Sequence, residues 1–246
     1  TGEMLWMYSL NEGPRGESAP RRLSGRGLSY WTDGRQERIL YVTPGYQLIA
    51  LDARTGRPIP AFGRNGLVDL KLEDDQDMDP VTGEIGLHAA PVVSGDVVVI
   101  GAAHLPGSIP RRRDNDNGYV RGYDVRTGKR LWIFHTLPMR GEAGYETWES
   151  GSAETNGNTG VWSQMSIDEE LGLVYLPVEL PTGDYYGGHR HGDRARRRRR
   201  RHGLAHDRLA HRARRDHRAV LPRRSGRDDR ARDASRSPPD LQSLCE

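Results

Sequence analysis

The chain has one cysteine, Cys245. An intrachain disulfide and a cysteine metal cluster are therefore excluded. Compartment stays open, because many periplasmic proteins also lack disulfides. No stretch approaches ~18 consecutive apolar residues, so a membrane-spanning helix is excluded too. There is no initiator Met and no secretory leader; the chain opens on TGEMLW, Thr1 to Trp6, inside a phrase that recurs later. The expectation is a fragment lacking its N-terminal part, so the absent leader says nothing of destination. Lysine and aromatic residues disappear from Asp193 onward, where 18 Arg stand against 8 Asp and Glu. The formal net charge of +3 thus hides two compositions, a body of about −7 and a tail of about +10.

What the body does have is Gly, Tyr, Trp and Val in short, punctuated runs, as in an all-β protein. One phrase recurs. Its clearest copy is GYVRGYDVRTGKRLW, Gly118 to Trp132, which reads as a strand, a tight Asp-x-x-Thr-Gly turn and a second strand ending in Trp. A weaker copy runs from Tyr46 through Asp52, Thr55 and Gly56 to Pro60. Aligned on Thr-Gly, the Trp position falls at Trp6, Pro60 and Trp132. Fixed-offset repeats of this kind signal a propeller or solenoid. In the turn, Asp bonds its own downstream backbone and Gly supplies the positive φ.

Around these phrases the chain reads as hairpins. Residues 28–31 and 38–42 flank Asp33-Gly34, and 88–93 and 97–101 flank Ser94-Gly95-Asp96. The second pair has no polar alternation, so both of its faces should be covered, as when sheets stack radially. Residues 11–25, 57–86, 102–117 and 137–160 read as loops, and Glu73–Asp77 as a solvated acidic stretch without EF-hand spacing. A third unit begins at Gly160, but its Thr-Gly-Trp phrase never arrives. Instead come Arg196–Arg201 and a run of Arg, Asp, His, Ala, Ser and Pro with no periodicity. Such a segment buries too little surface to offset its ordering entropy, so 193–246 is expected to be disordered. It reads either as a basic nucleic-acid or lipid arm or as a reading-frame slip in a high-GC coding sequence. The abrupt break in mid-unit favours the slip, and no nucleic-acid partner is expected.

The Asp-x-x-Thr-Gly-x-x-x-Trp phrase resembles the tryptophan-docking motif of the pyrroloquinoline quinone (PQQ) dehydrogenases. The runs Arg26–Trp31, His88–Pro91 and Gly157–Trp162 are similar to the same family, and Arg140–Trp148 and Pro181–Arg190 are most similar to its glucose-dehydrogenase-like branch. The resemblance implies an all-β fold: a partial eight-bladed β-propeller with about three four-stranded blades over residues 1–192. It implies docking roles for Trp6, Gly56, Thr127, Gly128 and Trp132. It implies PQQ and Ca²⁺ as cofactors. Arg26 aligns with the Arg that pairs a PQQ carboxylate, Trp162 with the Trp that floors the quinone, and His88 with a hydroxyl position that bonds the cofactor. The metal positions align less cleanly, near Leu105-Pro106 and Glu179-Leu180; Glu179, Asp184 or Asp114 would substitute. The family's catalytic Asp falls outside the chain, so no catalytic residue is assigned.

By the same resemblance the parent would be a periplasmic dehydrogenase of an alcohol or sugar, passing electrons to quinone or cytochrome, with any membrane association lying in parts outside this chain. This chain alone would be inactive. The alternative is a non-catalytic propeller scaffold, for which the long charged and aromatic loops have no use. If the tail is a frame slip, translating the neighbouring coding frames will restore a Leu-Asp-x-x-Thr-Gly-x-x-x-Trp phrase just past His191. Its absence from every frame would restore the basic arm.

Overall fold

The computed structural model describes residues 2–22, 27–86, 89–105, 115–182 and 190. Arg26, His88, Asp114, Asp184 and the whole of 193–246 lie outside the described residues.

The local code is the Asp-x-x-Thr-Gly turn. Asp52 Oδ1 accepts from the Arg54 and Thr55 amides and the Thr55 hydroxyl, at 3.1, 2.8 and 2.8 Å. Asp124 does the same with Arg126 and Thr127 at 3.0, 2.7 and 2.8 Å. In each turn the glycine amide closes back on the Asp carbonyl, with Gly56 at φ 68° and Gly128 at φ 73°. A third such turn, Asp79–Gly83, uses the same bonds. No strand pair flanks it, so it stands outside the strand–turn–strand repeat.

These turns punctuate antiparallel meanders. The first sheet is β1 (Ser29–Thr32), β2 (Glu37–Val42), β3 (Gln47–Asp52) and β4 (Leu67–Asp69), adjacent in sequence order. Next come β5 (Ile85–Gly86), β6 (Val92–Ser94), β7 (Val97–Ile100), β8 (Ala103–His104), β9 (Val120–Asp124) and β10 (Arg130–Phe134). Of these, β6, β7, β9 and β10 form the second sheet, and β5 pairs with β8. A last hairpin joins β11 (Ser166–Asp168) to β12 (Leu173–Tyr175). The described residues thus hold two complete four-stranded blades and the first hairpin of a third. Residues 2–10 join no ladder.

The sheets stack face to face. Leu40 and Val42 of β2 meet Val98 and Ile100 of β7 in one core with Trp31, Tyr46, Phe62 and Tyr123. Val97 and Val99, on the other face of β7, belong to a second core with Val161, Met165, Val174 and Trp132. One apolar strand serves two cores, which is why β7 shows no polar alternation.

The blades meet where a ring lies on glycine. Trp6 covers Gly56, its Nε1 donating to the Ala53 carbonyl at 3.0 Å, and a Cβ on Gly56 would collide with the indole. The next junction has Pro60 at the aligned Trp position, yet Phe62 fills the place. It is fully buried, its ring 3.3 Å from where a Gly128 Cβ would stand, while the Gly63 amide donates to the Thr127 carbonyl at 2.8 Å. Trp132 packs on Gly122 of its own sheet, its cross-strand partner.

Four readings need correction, and one is the loop expected over residues 102–117, which supplies β8 paired with β5. Residues 11–25 contain a one-turn helix, α1 (Pro14–Glu17), whose Arg15 pairs with Asp69 at 2.6 Å. Residues 57–86 are not simply a polar excursion: they supply β4, and Leu70, Lys71 and Asp74 are buried. Asp74, expected in solvent, faces the fully buried Arg121 at 3.1 Å without the alignment of a hydrogen bond. Burial pushes its carboxyl up to about 6 against the pull of that guanidinium. A charge pattern in one segment cannot reveal an arginine 47 residues away. Residues 137–160 also have order of their own. Two 3-10 segments, Tyr145–Thr147 and Glu149–Glu154, close a small core of Tyr119, Leu137, Trp148 and Ala153.

Phe62→Ala should cost about 3–5 kcal/mol by opening a cavity against the Gly128 turn. Phe62→Leu should cost clearly less; urea denaturation followed by tryptophan emission measures both. Lys71 gives a second expectation. Its ammonium is buried, donates to the Gly83 carbonyl at 2.9 Å, and is held down to about 8 by burial. The unfolded chain therefore binds more protons between pH 8 and 10.5, so stability rises with pH across that window. Lys71→Met should stabilise the chain at pH 7 by on the order of 2 kcal/mol, a gain that shrinks as pH passes 8. Melting curves at pH 7 and 10 would show it, and a constant difference would contradict the burial argument.

Candidate functional site

In an up-and-down meander, alternate connections emerge at the same end. The Asp-x-x-Thr-Gly turns of both blades, with Asp33 and Asp96, share one end. There Arg126 pairs with Asp96 at 2.6 Å and with Asp33 at 3.5 Å, and its guanidinium lies 4.6 Å over the Trp31 ring. The opposite end collects Tyr46, residues 70–86, 101–105, 115–119, 135–165 and 176–182. Every described candidate for cofactor or metal lies at that second end.

There the backbones of the second and third units press together through glycine. A Cβ on Gly101 would strike the Val161 carbonyl, one on Gly160 the Ala102 carbonyl, and one on Gly118 the Gly160 Cα. A Cβ on Gly157 would stand 2.5 Å from that of Asn115. The chain then turns through two successive residues in the left-handed region, Asn158 at φ 63° and Thr159 at φ 49°. Both are tied down. Asn158 donates to the Asp116 carbonyl at 2.9 Å and accepts from the Gly118 amide at 2.6 Å. The Thr159 hydroxyl meets that of Thr136 at 2.9 Å. This bend delivers Trp162, which is 42% exposed although its neighbour Val161 is buried.

Glu179 comes to the same place. Its amide donates to the Gly160 carbonyl at 3.0 Å, and its Oε1 would lie 3.4 Å from a Cβ on Gly160. Trp162 and Glu179 are thus brought to one short stretch of backbone. Among the described residues, no group of three or more His, Cys, Asp and Glu could hold a metal ion. Asp114 and Asp184 lie outside the described residues, which leaves Glu179 as the described candidate for a calcium ligand. An exposed indole on a rigid bend does fit the flat ring system of a quinone.

One pair escaped sequence reasoning. His104 Nε2 lies 3.1 Å from Glu84 Oε2, with side chains 4% and 6% exposed, and the Glu84 amide donates to Asp116 Oδ2 at 2.6 Å. The signal was the β5–β8 ladder, which sets Ile85 opposite His104; two-residue strands leave no periodicity to read. A groove of about 280 Å³ lies on the outer face of the first blade, lined by Trp6, Tyr8, Leu10, Ile39 and Tyr41 and reaching Thr43 and Pro44. It is a face of the kind buried between the two blades, and Tyr8, Glu12 and Tyr41 are its titratable side chains.

Comparison with known proteins agrees with this architecture. The family model described as "PQQ: Glucose/ethanol/alcohol dehydrogenase, beta-propeller domain" matches residues 1–197. The glycerol dehydrogenase large subunit of Gluconobacter oxydans (strain 621H) is 31% identical over 200 residues, covering 76% of this chain and 24% of that protein. Quinoprotein glucose dehydrogenase A of Acinetobacter calcoaceticus is 33% identical over 153 residues, 58% of this chain and 17% of its own length. The solved quinohemoprotein alcohol dehydrogenase of Pseudomonas putida HK5 superposes with a TM-score of 0.52 at 26% identity, over 68% of this chain and 22% of that one. A europium-containing methanol dehydrogenase, at 23% identity and a TM-score of 0.50 over 76% of this chain and 31% of that one, shares the fold. The chain spans about a quarter of the glycerol dehydrogenase subunit. With two stacked four-stranded blades, ring-on-glycine junctions and a family match over most of its length, the chain belongs to the PQQ-dependent glucose/ethanol/alcohol dehydrogenase β-propeller family.

Proposed function

We propose that this chain is part of a PQQ-dependent dehydrogenase and supplies one wall of its cofactor site. The observation that carries the reading is Trp162, a large aromatic left 42% exposed on a bend that two left-handed residues and four close glycine contacts hold in place. Ordinary packing leaves no reason to spend that much order on an exposed indole. PQQ, when bound, supplies the hydride acceptor for oxidation of an alcohol or sugar hydroxyl. Trp162 would floor the ring system and exclude water from that face. Arg26 would pair a cofactor carboxylate through its planar fork, and His88 would donate to the cofactor. Glu179, with Asp184, would contribute oxygen to a calcium ion bound beside it.

The order within residues 137–160 supports the enzyme over a bare scaffold. Trp148 is buried there beneath Arg190, whose guanidinium lies 4.6 Å from the ring, and that order serves the end that carries Trp162. Periplasmic location, a quinone or cytochrome acceptor and a boundary near residue 192 complete the proposal. The base that takes the substrate proton belongs to blades outside this chain, so the chain alone would not turn over.

The test is a titration of the 246-residue chain with PQQ in the presence of Ca²⁺, read by quenching of tryptophan emission and by the cofactor's absorption. Binding is expected, weakened about tenfold by Trp162→Ala, or about 1.4 kcal/mol. Dye-linked oxidation of sugars and alcohols by the chain alone should be undetectable. Binding indifferent to Trp162→Ala would remove that residue from the site, and turnover would overturn the partial-site reading.

A further inference from the structure

The turn between β2 and β3 holds a residue the proposed site does not use. Tyr46 is fully buried and sits at φ 67°. A bulky aromatic in the left-handed region is a genuine outlier, kept only where its surroundings over-determine it. Here they do. Its amide donates to the Thr43 carbonyl at 3.0 Å, and its carbonyl accepts from the Leu70 amide at 3.2 Å and from Arg15 at 3.3 Å. That backbone aims the phenol at the neighbouring blade. Tyr46 Oη donates to the Gly101 carbonyl at 2.9 Å and accepts from Arg121 at 2.8 Å. Arg121, itself fully buried, lies 5.2 Å over the Tyr46 ring and also donates to the Leu70 and Glu73 carbonyls. Gly101 is the residue whose Cα packs on the Val161 carbonyl, one residue before Trp162.

Resting on the reading of Trp162 as the cofactor floor, we propose that Tyr46, locked by Arg121, is a positioning residue for that floor. Its hydroxyl fixes the Gly101 carbonyl, Gly101 fixes Val161 by direct backbone contact, and Val161 sets the height and tilt of the indole. The first blade thereby reaches through the second to the third. A buried phenol needs a hydrogen-bond partner in any case, but here the strained left-handed backbone directs it to a carbonyl of another blade, one contact from the bend that carries Trp162.

Tyr46→Phe keeps the ring, its packing and the guanidinium contact, and removes only the hydroxyl. Two measurements on the full chain separate this inference from the reading beneath it. The first is the emission and acrylamide quenching of Trp162, obtained as the difference between the chain and its Trp162→Phe variant, with and without Tyr46→Phe. The second is PQQ affinity in the presence of Ca²⁺. We expect Tyr46→Phe to shift the Trp162 signal and to weaken PQQ about tenfold while the chain still melts cooperatively. An unchanged Trp162 signal overturns the positioning role whatever PQQ does. Absence of PQQ binding to the unmodified chain, with the Trp162 signal still responding to Tyr46→Phe, overturns the cofactor reading and leaves the positioning role standing. If Tyr46→Phe does not fold, Arg121→Lys decides the matter, since it keeps the buried charge and loses the fork that holds Tyr46 Oη. A Trp162 signal indifferent to Arg121→Lys is then the overturning result.

Discussion

Everything in this chain depends on how closely two sheets approach. Trp6 can cover one turn, and Phe62, Val68 and the Gly63 amide can close on the other, only because the residue beneath has no Cβ. Gly56 and Gly128 meet that condition while serving the positive φ that their turns require. One residue type therefore satisfies a local demand and a long-range one. The same rule operates at the other end, where Gly101, Gly118, Gly157 and Gly160 let backbone meet backbone across a blade boundary. The first set closes the stack at the turns, and the second brings the site loops together.

Buried polar groups mark the contact between blades toward both ends, Arg38 at the turns and Arg121 with Tyr46 and Asp74 toward the site. Arg121, Asp74, Tyr46 and Arg38 are all taken out of water at the contact between blades. Arg38 donates to the Val125 and Arg126 carbonyls at 2.8 Å, as Arg121 does to those of Leu70 and Glu73. Such groups are costly to bury, and a well-packed apolar set would be as stable or more so. They give direction instead. A guanidinium fork accepts few arrangements of carbonyls, so it fixes the angle at which one blade meets the next.

Much of this was legible in the residues. The spacing from Asp52 to Gly56 and from Asp124 to Gly128 wrote out the turn. The unalternated run at Val97–Ile100 announced a strand covered on both faces. Trp162 stood out because its surrounding run resembled a cofactor-site motif. Other features were illegible for physical reasons. Phe62 took a place the alignment had given to Pro60, because the connection to β4 bends back and presents a residue two positions later. Asp74 read as solvated because its partner lies on another blade, and the His104–Glu84 pair rests on strands too short to have a period.

The sequence by itself determined the repeat, the turn chemistry, the all-β class and the family, since each of these is written in contacts a few residues long. The tertiary structure decided which ring fills each junction, which charges are buried, and how Trp162 comes to be held beside Glu179. Those outcomes depend on distances between residues far apart in the chain. Such distances exist only once glycine has let the blades close and the buried arginines have set their angle.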